Sequence, residues 1–178
     1  MAKMSPTEAY EIVTGRRPTP LILLCDHASN AVPEPYGNLG LPPGQFERHI
    51  AYDIGARDLT LGLAKRLGAT AVLSCYSRLL IDPNRGLDDP TLIMRISDGA
   101  AVPGNREVDE SERQRRIARF HRPYHQAIAG RISAVEARGH VPFLVSIHSF
   151  TPVWRGWPRP WHVGILWDRD EEVARAMI

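Results

Sequence analysis

Short, wholly apolar runs alternate along this chain with longer stretches in which apolar positions recur every three to four residues. Residues 20–26, "PLILLCD", read as a buried strand: five apolar residues, a proline before them and a polar end. The stretch 31–44, "AVPEPYGNLGLPPG", is a proline- and glycine-rich loop. Residues 45–68 carry the helical period and stop at Gly68, a natural helix C-cap. "ATAVLSCYSRLLID", 69–82, predicts one strand or two, followed by the turn-rich "PNRGLDDP" and an irregular stretch over 86–106. A long helical pattern covers 109–140, with Pro123 breaking or kinking it near "HRPYH". "PFLVSIHSF" (142–150) and "HVGILWD" (162–168) predict two more strands, separated by an aromatic, proline-rich loop, and "EEVARAMI" starts a last helix. The resulting order β-α-β-α-β-β-α predicts one α/β domain around a largely parallel sheet.

Composition narrows the function more than the fold. The 178 residues are 43% hydrophobic and 24% charged, enough for a single domain with a sizeable core. A net charge of +2 gives no reason to expect nucleic acid or an anionic membrane as a partner. Only Lys3 and Lys65 are lysines, so the basic side chains are overwhelmingly arginine, whose planar fork suits carboxylates. Cys25 and Cys75 sit in strand-like runs and read as buried free thiols. The N-terminus has no apolar signal core and no run reaches transmembrane length, so a cytoplasmic protein is expected.

Three apolar runs end alike, in "LILLCDH", "LLIDPNR" and "FLVSIHS". Parallel strands present their carboxyl ends on one edge of a sheet, where α/β folds carry their ligand chemistry. His27 and His148 are therefore the natural metal ligands, since a catalytic zinc takes three protein ligands and keeps one position open. A histidine that merely caps a strand through a backbone hydrogen bond is the plain alternative for either one. For the third ligand, His49 and Asp53 lie four apart on the expected helix and share a face. Asp26 adjoins His27, but neighbours on an extended strand point to opposite faces, so it can serve only where the strand has ended. His121 and His125 read as a packing or supporting pair rather than ligands. In the cluster "SRLLIDPNR", Arg85 can clamp a carboxylate in two-pronged fashion and Asn84 can add a hydrogen bond. Arg78 can stabilise a developing oxyanion, and Asp82 can hold an arginine or a metal-bound histidine. No G-x-G-x-x-G, P-loop, G-x-S-x-G or H-E-x-x-H is present, which argues against nucleotide, serine-hydrolase and zincin chemistry.

Taken in order, "CDHASNAVP", "HIAYDIGA", "SRLLIDPNR", "HRPYH" and "SIHSFTP" resemble the N-formylglutamate amidohydrolase family, from about residue 20 onward. That family is related to the zinc carboxypeptidase and aspartoacylase group. The resemblance implies a three-layer α/β fold with a mixed, mostly parallel sheet and helices on both faces. It also implies one Zn²⁺ per chain, held by His27 and His148. The wider group places a glutamate three residues after its first histidine, where this chain has Asn30, so the third ligand must come from elsewhere. His49 is expected to supply it, in preference to Asp53 and Asp26. Arg78, Asp26 and Asp53 are then the expected catalytic groups, and Asn84, Arg85 and Ser149 the substrate-binding ones. Family members also typically continue beyond residue 178, so the single domain over 1–178 is expected to be cut short at its C-terminus.

The implied activity is metal-dependent hydrolysis of an N-acyl amino acid such as N-formyl-L-glutamate, giving the free amino acid and formate, a step in histidine degradation. The competing expectation is a catalytically degenerate protein that keeps the arginine clamp and binds acidic amino-acid-like ligands.

Overall fold

The computed structural model describes residues 8–154 and 156–178. Along the chain come β1 (Tyr10–Val13), β2 (Leu21–Cys25), α1 (Ala56–Leu67), β3 (Thr70–Ser74) and a small hairpin of β4 (Ile96–Ser97) and β5 (Ala100–Ala101). There follow α2 (Glu110–Arg116), α3 (Arg122–Glu136), β6 (Phe143–Ser146), a second hairpin of β7 (Val153–Trp154) and β8 (Trp157–Pro158), and α4 (Glu171–Met177). The main sheet has the order β1-β3-β2-β6. Strand β2 is parallel to both neighbours, and β1 adds an antiparallel edge to β3.

The sheet is mixed because the chain enters it through a short strand that the sequence reading missed. Tyr10–Val13 is only four residues long, all half-buried. Its alternation is nevertheless real: Tyr10 and Ile12 pack on the α3 side, Val13 on the α1 side.

The central strand explains the three layers. A strand buried on both faces must be apolar throughout, and LILLC is. Leu23 and Cys25, with Ala71 and Leu73 of β3, pack against Ala56 and Ala64 of α1. Ile22 and Leu24, with Val72, pack against Tyr124, Ile128 and Val135 of α3. Small residues at 56, 60 and 64 let α1 lie close to the sheet, and Thr60 returns its hydroxyl to the Ala56 carbonyl at 2.7 Å. Helix α1 ends where Gly68 turns left-handed (φ +68°) and its N–H caps the Ala64 carbonyl. A third apolar cluster is built from the long connections, with Leu39, Ile50, Leu79, Leu80, Leu92, Ile117 and Phe120 at its heart.

Three expected elements are corrected. The helix expected from residue 45 begins only at Ala56; Pro43–Glu47 is a short 3₁₀ turn and 48–55 is a run of turns. Gly55 is left-handed (φ +81°), and the Asp53 N–H donates to the His27 carbonyl at 3.0 Å instead of closing a helical turn. The strand expected over 69–82 stops at Ser74. Beyond it Leu79, Leu80 and Ile81 bury into the loop core, with backbone bonds from Ser77 to Ala31 and from Arg78 to Ala51. Residues 162–168 form no strand, and Val163 and Leu166 lie exposed. The break at Pro123 is present: a π-helical turn, Ile117–His121, separates α2 from α3, and Pro123 falls in the first turn of α3. The π turn accommodates a residue that has no N–H to give.

Candidate active site

The carboxyl ends of β2 and β6 and the connection after β3 meet at one place. His27 follows β2 by two residues and is 1% exposed. Its Nε2 lies 2.7 Å from Asp82 Oδ1, and its Nδ1 lies 3.4 Å from Asp53 Oδ1 and 3.3 Å from the Arg78 guanidinium. His148 follows β6, with its ring 5.1 Å from that of His27, centroid to centroid. Its Nδ1 is 2.8 Å from Asp53 Oδ2 and its Nε2 is 3.1 Å from Asp26 Oδ2. The two rings are thus treated alike. Each turns Nδ1 towards Asp53, and each has Nε2 engaged by another carboxylate, Asp82 for one and Asp26 for the other.

His27, Asp53 and His148 each offer one ligand atom, all within 4.8 Å of one another. Two imidazole nitrogens and a carboxylate are a donor set found at catalytic zinc. Backing carboxylates on ligand histidines fix tautomer and ring orientation in such sites. Charge points the same way. Asp26, Asp53 and Asp82 carry three negative charges and Arg78 one positive, so with neutral imidazoles the cluster is left at two negative, the complement of a divalent cation. Arg85 stands at the rim, 4.0 Å from Asp82 and 44% exposed, and is not counted. The residues therefore fit a metal.

Titration follows from the same contacts. Burial pushes the Asp26 carboxyl up, but hydrogen bonds from His148, Ser146 and Tyr124 outweigh it and hold the group at about 2. Asp53 is likewise pushed up by burial and pulled further down by His148 and His27, ending well below the usual carboxylate range. Asp82 ends low despite burial, because His27 and Arg78 hold its charged form. Hydrogen bonds to Asp26 and Asp53 raise His148 to about 9 against the opposing effect of burial. Burial lowers His27, yet Asp53 and Asp82 more than compensate and leave it raised.

Not every residue singled out in the sequence reaches this cluster. His49 turns the other way: its Nε2 lies 3.4 Å from Asp98 on the β4–β5 turn, and its side chain is 42% exposed. Asp53, ranked behind it, is the residue brought between the two histidines. The reason is the missing helix: with Asp53 tied by its backbone to His27, the pair no longer shares a face. Asp26 sits on the α3 side of β2 with both oxygens occupied, Oδ1 by the Tyr124 hydroxyl at 2.8 Å and Oδ2 by Ser146 at 2.5 Å and His148. Its Oδ2 thus backs the His148 ring. Asn30 donates to the Phe46 carbonyl at 2.8 Å. Ser149 gives its N–H to Asp53 Oδ2 at 3.2 Å. Arg78 is held by Asp82 at 2.7 Å. Asn84 and Arg85 stand exposed at the mouth, with the Asn84 N–H on Asp82 Oδ1 at 2.9 Å.

Tyr124 and Ser146 went unnoticed in the sequence. Ser146 had a signal: it lies two residues before His148 in a strand-like run, hence on the same face. Tyr124 had none, because its partner is 98 residues away.

An α/β fold whose strand ends gather a His–Asp–His set beside an arginine, with His27 and Asp53 buried and His148 open to solvent, belongs among hydrolases that work on small molecules. The chain belongs to the N-formylglutamate amidohydrolase family, whose profile matches residues 19–178. No curated protein sequence matches it significantly. Among solved structures it is similar to an Agrobacterium tumefaciens gene product, with 35% identity and a TM-score of 0.91, covering 96% of this chain and 68% of that one. It is also similar to the N-formylglutamate amidohydrolase of Ralstonia eutropha JMP134, with 25% identity and a TM-score of 0.61, covering 80% of this chain and 57% of that one. The family was thus legible in the motifs. Among the described residues no helix is long and apolar enough to cross a membrane. Cys25 and Cys75 are free thiols; Cys25 is buried as expected, whereas Cys75 is half-buried.

Proposed function

We propose that this protein is a zinc-dependent amidohydrolase that cleaves an N-acyl amino acid, with N-formyl-L-glutamate as the favoured substrate, to the free amino acid and formate. The observation that carries the reading is the paired backing of His27 and His148, each with Nδ1 turned to Asp53 and Nε2 on a second carboxylate. His27, His148 and Asp53 would hold the metal, with Asp53 in the place expected for His49. A divalent metal there would supply Lewis acidity to an amide carbonyl and bring water activation towards neutral pH. The remaining roles belong to the chain's own side chains. Arg78, fixed by Asp82, shares the negative charge that builds on the carbonyl oxygen as water adds. Asn84 and Arg85 bind a substrate carboxylate at the mouth, where, among the described residues, the Arg85 fork has only long ion pairs of 4.0 and 3.7 Å to satisfy it. Ser149 adds a contact to the substrate, and Asp26 keeps the His148 ring in place. The reading extends to a fold akin to the zinc carboxypeptidases, to one domain over the whole chain, and to a cytoplasmic step of histidine degradation.

Two measurements on the purified protein test it: zinc content, and release of the free amino acid from a panel of N-formyl and N-acetyl amino acids with and without a chelator. About one zinc per chain and chelator-sensitive turnover of N-formyl-L-glutamate are expected. Metal-free protein that binds glutamate but hydrolyses none of the panel would replace the enzyme with a binding protein.

A further inference from the structure

The segment "HRPYH" is not explained by metal or substrate contact. The same turn of helix nevertheless reaches both halves of the site. Tyr124 holds Asp26, which orients His148. On either side of it, His121 Nε2 lies 3.0 Å from the Arg85 carbonyl and His125 Nε2 lies 2.9 Å from the Pro83 carbonyl. A carbonyl oxygen only accepts, so both rings carry their proton on Nε2 and donate it. The rings stack against each other with centroids 4.3 Å apart and planes 36° apart. Burial lowers the His121 pKa, which suits a neutral ring in a stacked pair.

The partners of these two histidines are the backbone of the loop that carries Asn84 and Arg85. That loop needs such support. The Arg85 side chain is 44% exposed and its two ion pairs are long, so its own contacts do little to fix it. Within the loop, the Arg85 N–H reaches the Asp82 carbonyl at 3.2 Å and the Asn84 N–H reaches Asp82 Oδ1 at 2.9 Å. These bonds tie the loop to Asp82 at its start, while its far side is held by the imidazoles. The π-helical turn supports the arrangement. Its extra residue, closed by the Arg122 N–H on the Ile117 carbonyl, sets the helix phase in the turn that includes His121, and such bulges are frequent at functional sites.

We propose that His121 and His125 are positioning residues: a two-imidazole clamp on the carbonyls of Arg85 and Pro83 that presents the Arg85 guanidinium to the substrate carboxylate. The proposal rests on the assignment of Arg85 as the carboxylate clamp. Its signature is selective, because the clamp touches neither the metal ligands nor Arg78. Loss of one imidazole should weaken substrate capture and leave bond cleavage alone.

The test uses His121→Ala, His125→Ala and the corresponding glutamine variants, whose amide places an N–H donor near the Nε2 position. Zinc content, amide hydrogen exchange at Asp82, Asn84 and Arg85, and steady-state kinetics with N-formyl-L-glutamate are measured on each. The alanine variants should raise KM by about fivefold or more, the effect of losing one neutral hydrogen bond, with kcat and zinc unchanged and faster exchange in the loop. Glutamine should recover most of the KM and of the protection. Unchanged loop exchange in both alanine variants overturns the clamp whatever the activity. So does a loss of kcat or zinc at constant KM, or a glutamine variant no better than alanine. If the unsubstituted protein cleaves no N-acyl amino acid yet the exchange pattern appears and is restored by glutamine, the functional reading fails and the clamp stands.

Discussion

Replacing Asp82 with asparagine keeps the side chain's size and removes the charge of one of the three buried carboxylates of the site. Asp82 is fully buried and takes three donors: His27 Nε2 at 2.7 Å, the Arg78 guanidinium at 2.7 Å and the Asn84 N–H at 2.9 Å. It thereby joins His27, Arg78 and the loop that carries Asn84 and Arg85. Asparagine can still accept from one or two of these, but it leaves Arg78 without its close counter-charge. Hydrogen bonds to charged groups are worth about 1.5 to 3 kcal/mol each, and loss of a group that backs a ligand histidine typically costs about 10- to 100-fold in metal affinity or activity. Asp82→Asn should therefore weaken zinc binding by about 10- to 100-fold. It should lower kcat/KM at saturating zinc as well, because Arg78 loosens. Competitive titration against a chromogenic chelator reads the first effect and formate release the second, with urea unfolding to show that the variant is folded. A folded Asp82→Asn with zinc affinity and kcat/KM both within about twofold of the parent, well short of the range for a backing group, would refute the idea that Asp82 organises the site.

Three further outcomes are expected. His49→Ala should purify with full zinc and Asp53→Ala nearly metal-free, as measured by atomic emission; equal zinc in the two variants would remove Asp53 from the ligand set. Arg85→Lys keeps the charge and loses the fork, so KM for N-formyl-L-glutamate should rise about tenfold, the equivalent of about 1.4 kcal/mol, with zinc content unchanged; an unchanged KM would move the carboxylate clamp elsewhere. In chelator-treated protein, Asp26 lies at about 2 against an ordinary 3.8, so its contribution is present above pH 4 and lost as pH falls towards 2. His148 lies at about 9 against 6.5, so its contribution is present below pH 6.5 and lost as pH rises through 9. Urea midpoints across pH should accordingly fall on both sides of the window from about 4 to 6.5, and a midpoint that stays flat up to pH 10 would contradict the His148 imidazolium.

The sequence carried the site further than it carried the fold around it. Asp26, His27 and Asp82 were legible because a polar residue at the end of a buried apolar run is costly unless it has a task or a partner, and His148 because it closes a similar apolar run, although β6 is only half-buried. Asp82 was expected to hold an arginine or a histidine, and it holds both. That Asp53 rather than His49 lies beside the two histidines was hidden because the periodic stretch 45–68 contains a backbone that is not helical before Gly55. No local pattern reports that the Asp53 N–H goes to His27. The run Leu79–Ile81 looked like strand for a related reason: apolar residues bury equally well in a loop core, and periodicity alone does not separate the two. The strand expected over 162–168 had the right composition, but its side chains found no sheet to join. Strand β1 escaped because a four-residue edge carries too few alternations to register.

The sheet order has a consequence for how the site comes into being. His27 and Asp82 are 55 residues apart, whereas Ser146 and Asp26 are 120 apart and His148 and Asp53 are 95 apart. Strands β2 and β3 can pair once one crossover has closed, but β6 can dock on β2 only after the whole of α2 and α3 has been made and placed. Long-range parallel pairings of this kind form slowly, since the loop must close before the contact rewards it. On a growing chain the first histidine would therefore be seated, with its carboxylate behind it, before the second existed. If His27, Asp53 and His148 hold a metal, as proposed, its capture would report that the last strand has arrived, and it would stabilise only chains that completed the sheet. Pulse-labelled hydrogen exchange during refolding should find the β2–β3 amides protected before those of β6, and zinc should accelerate none of the earlier phase; simultaneous protection of all three strands would place the assembly of the centre inside the folding nucleus instead.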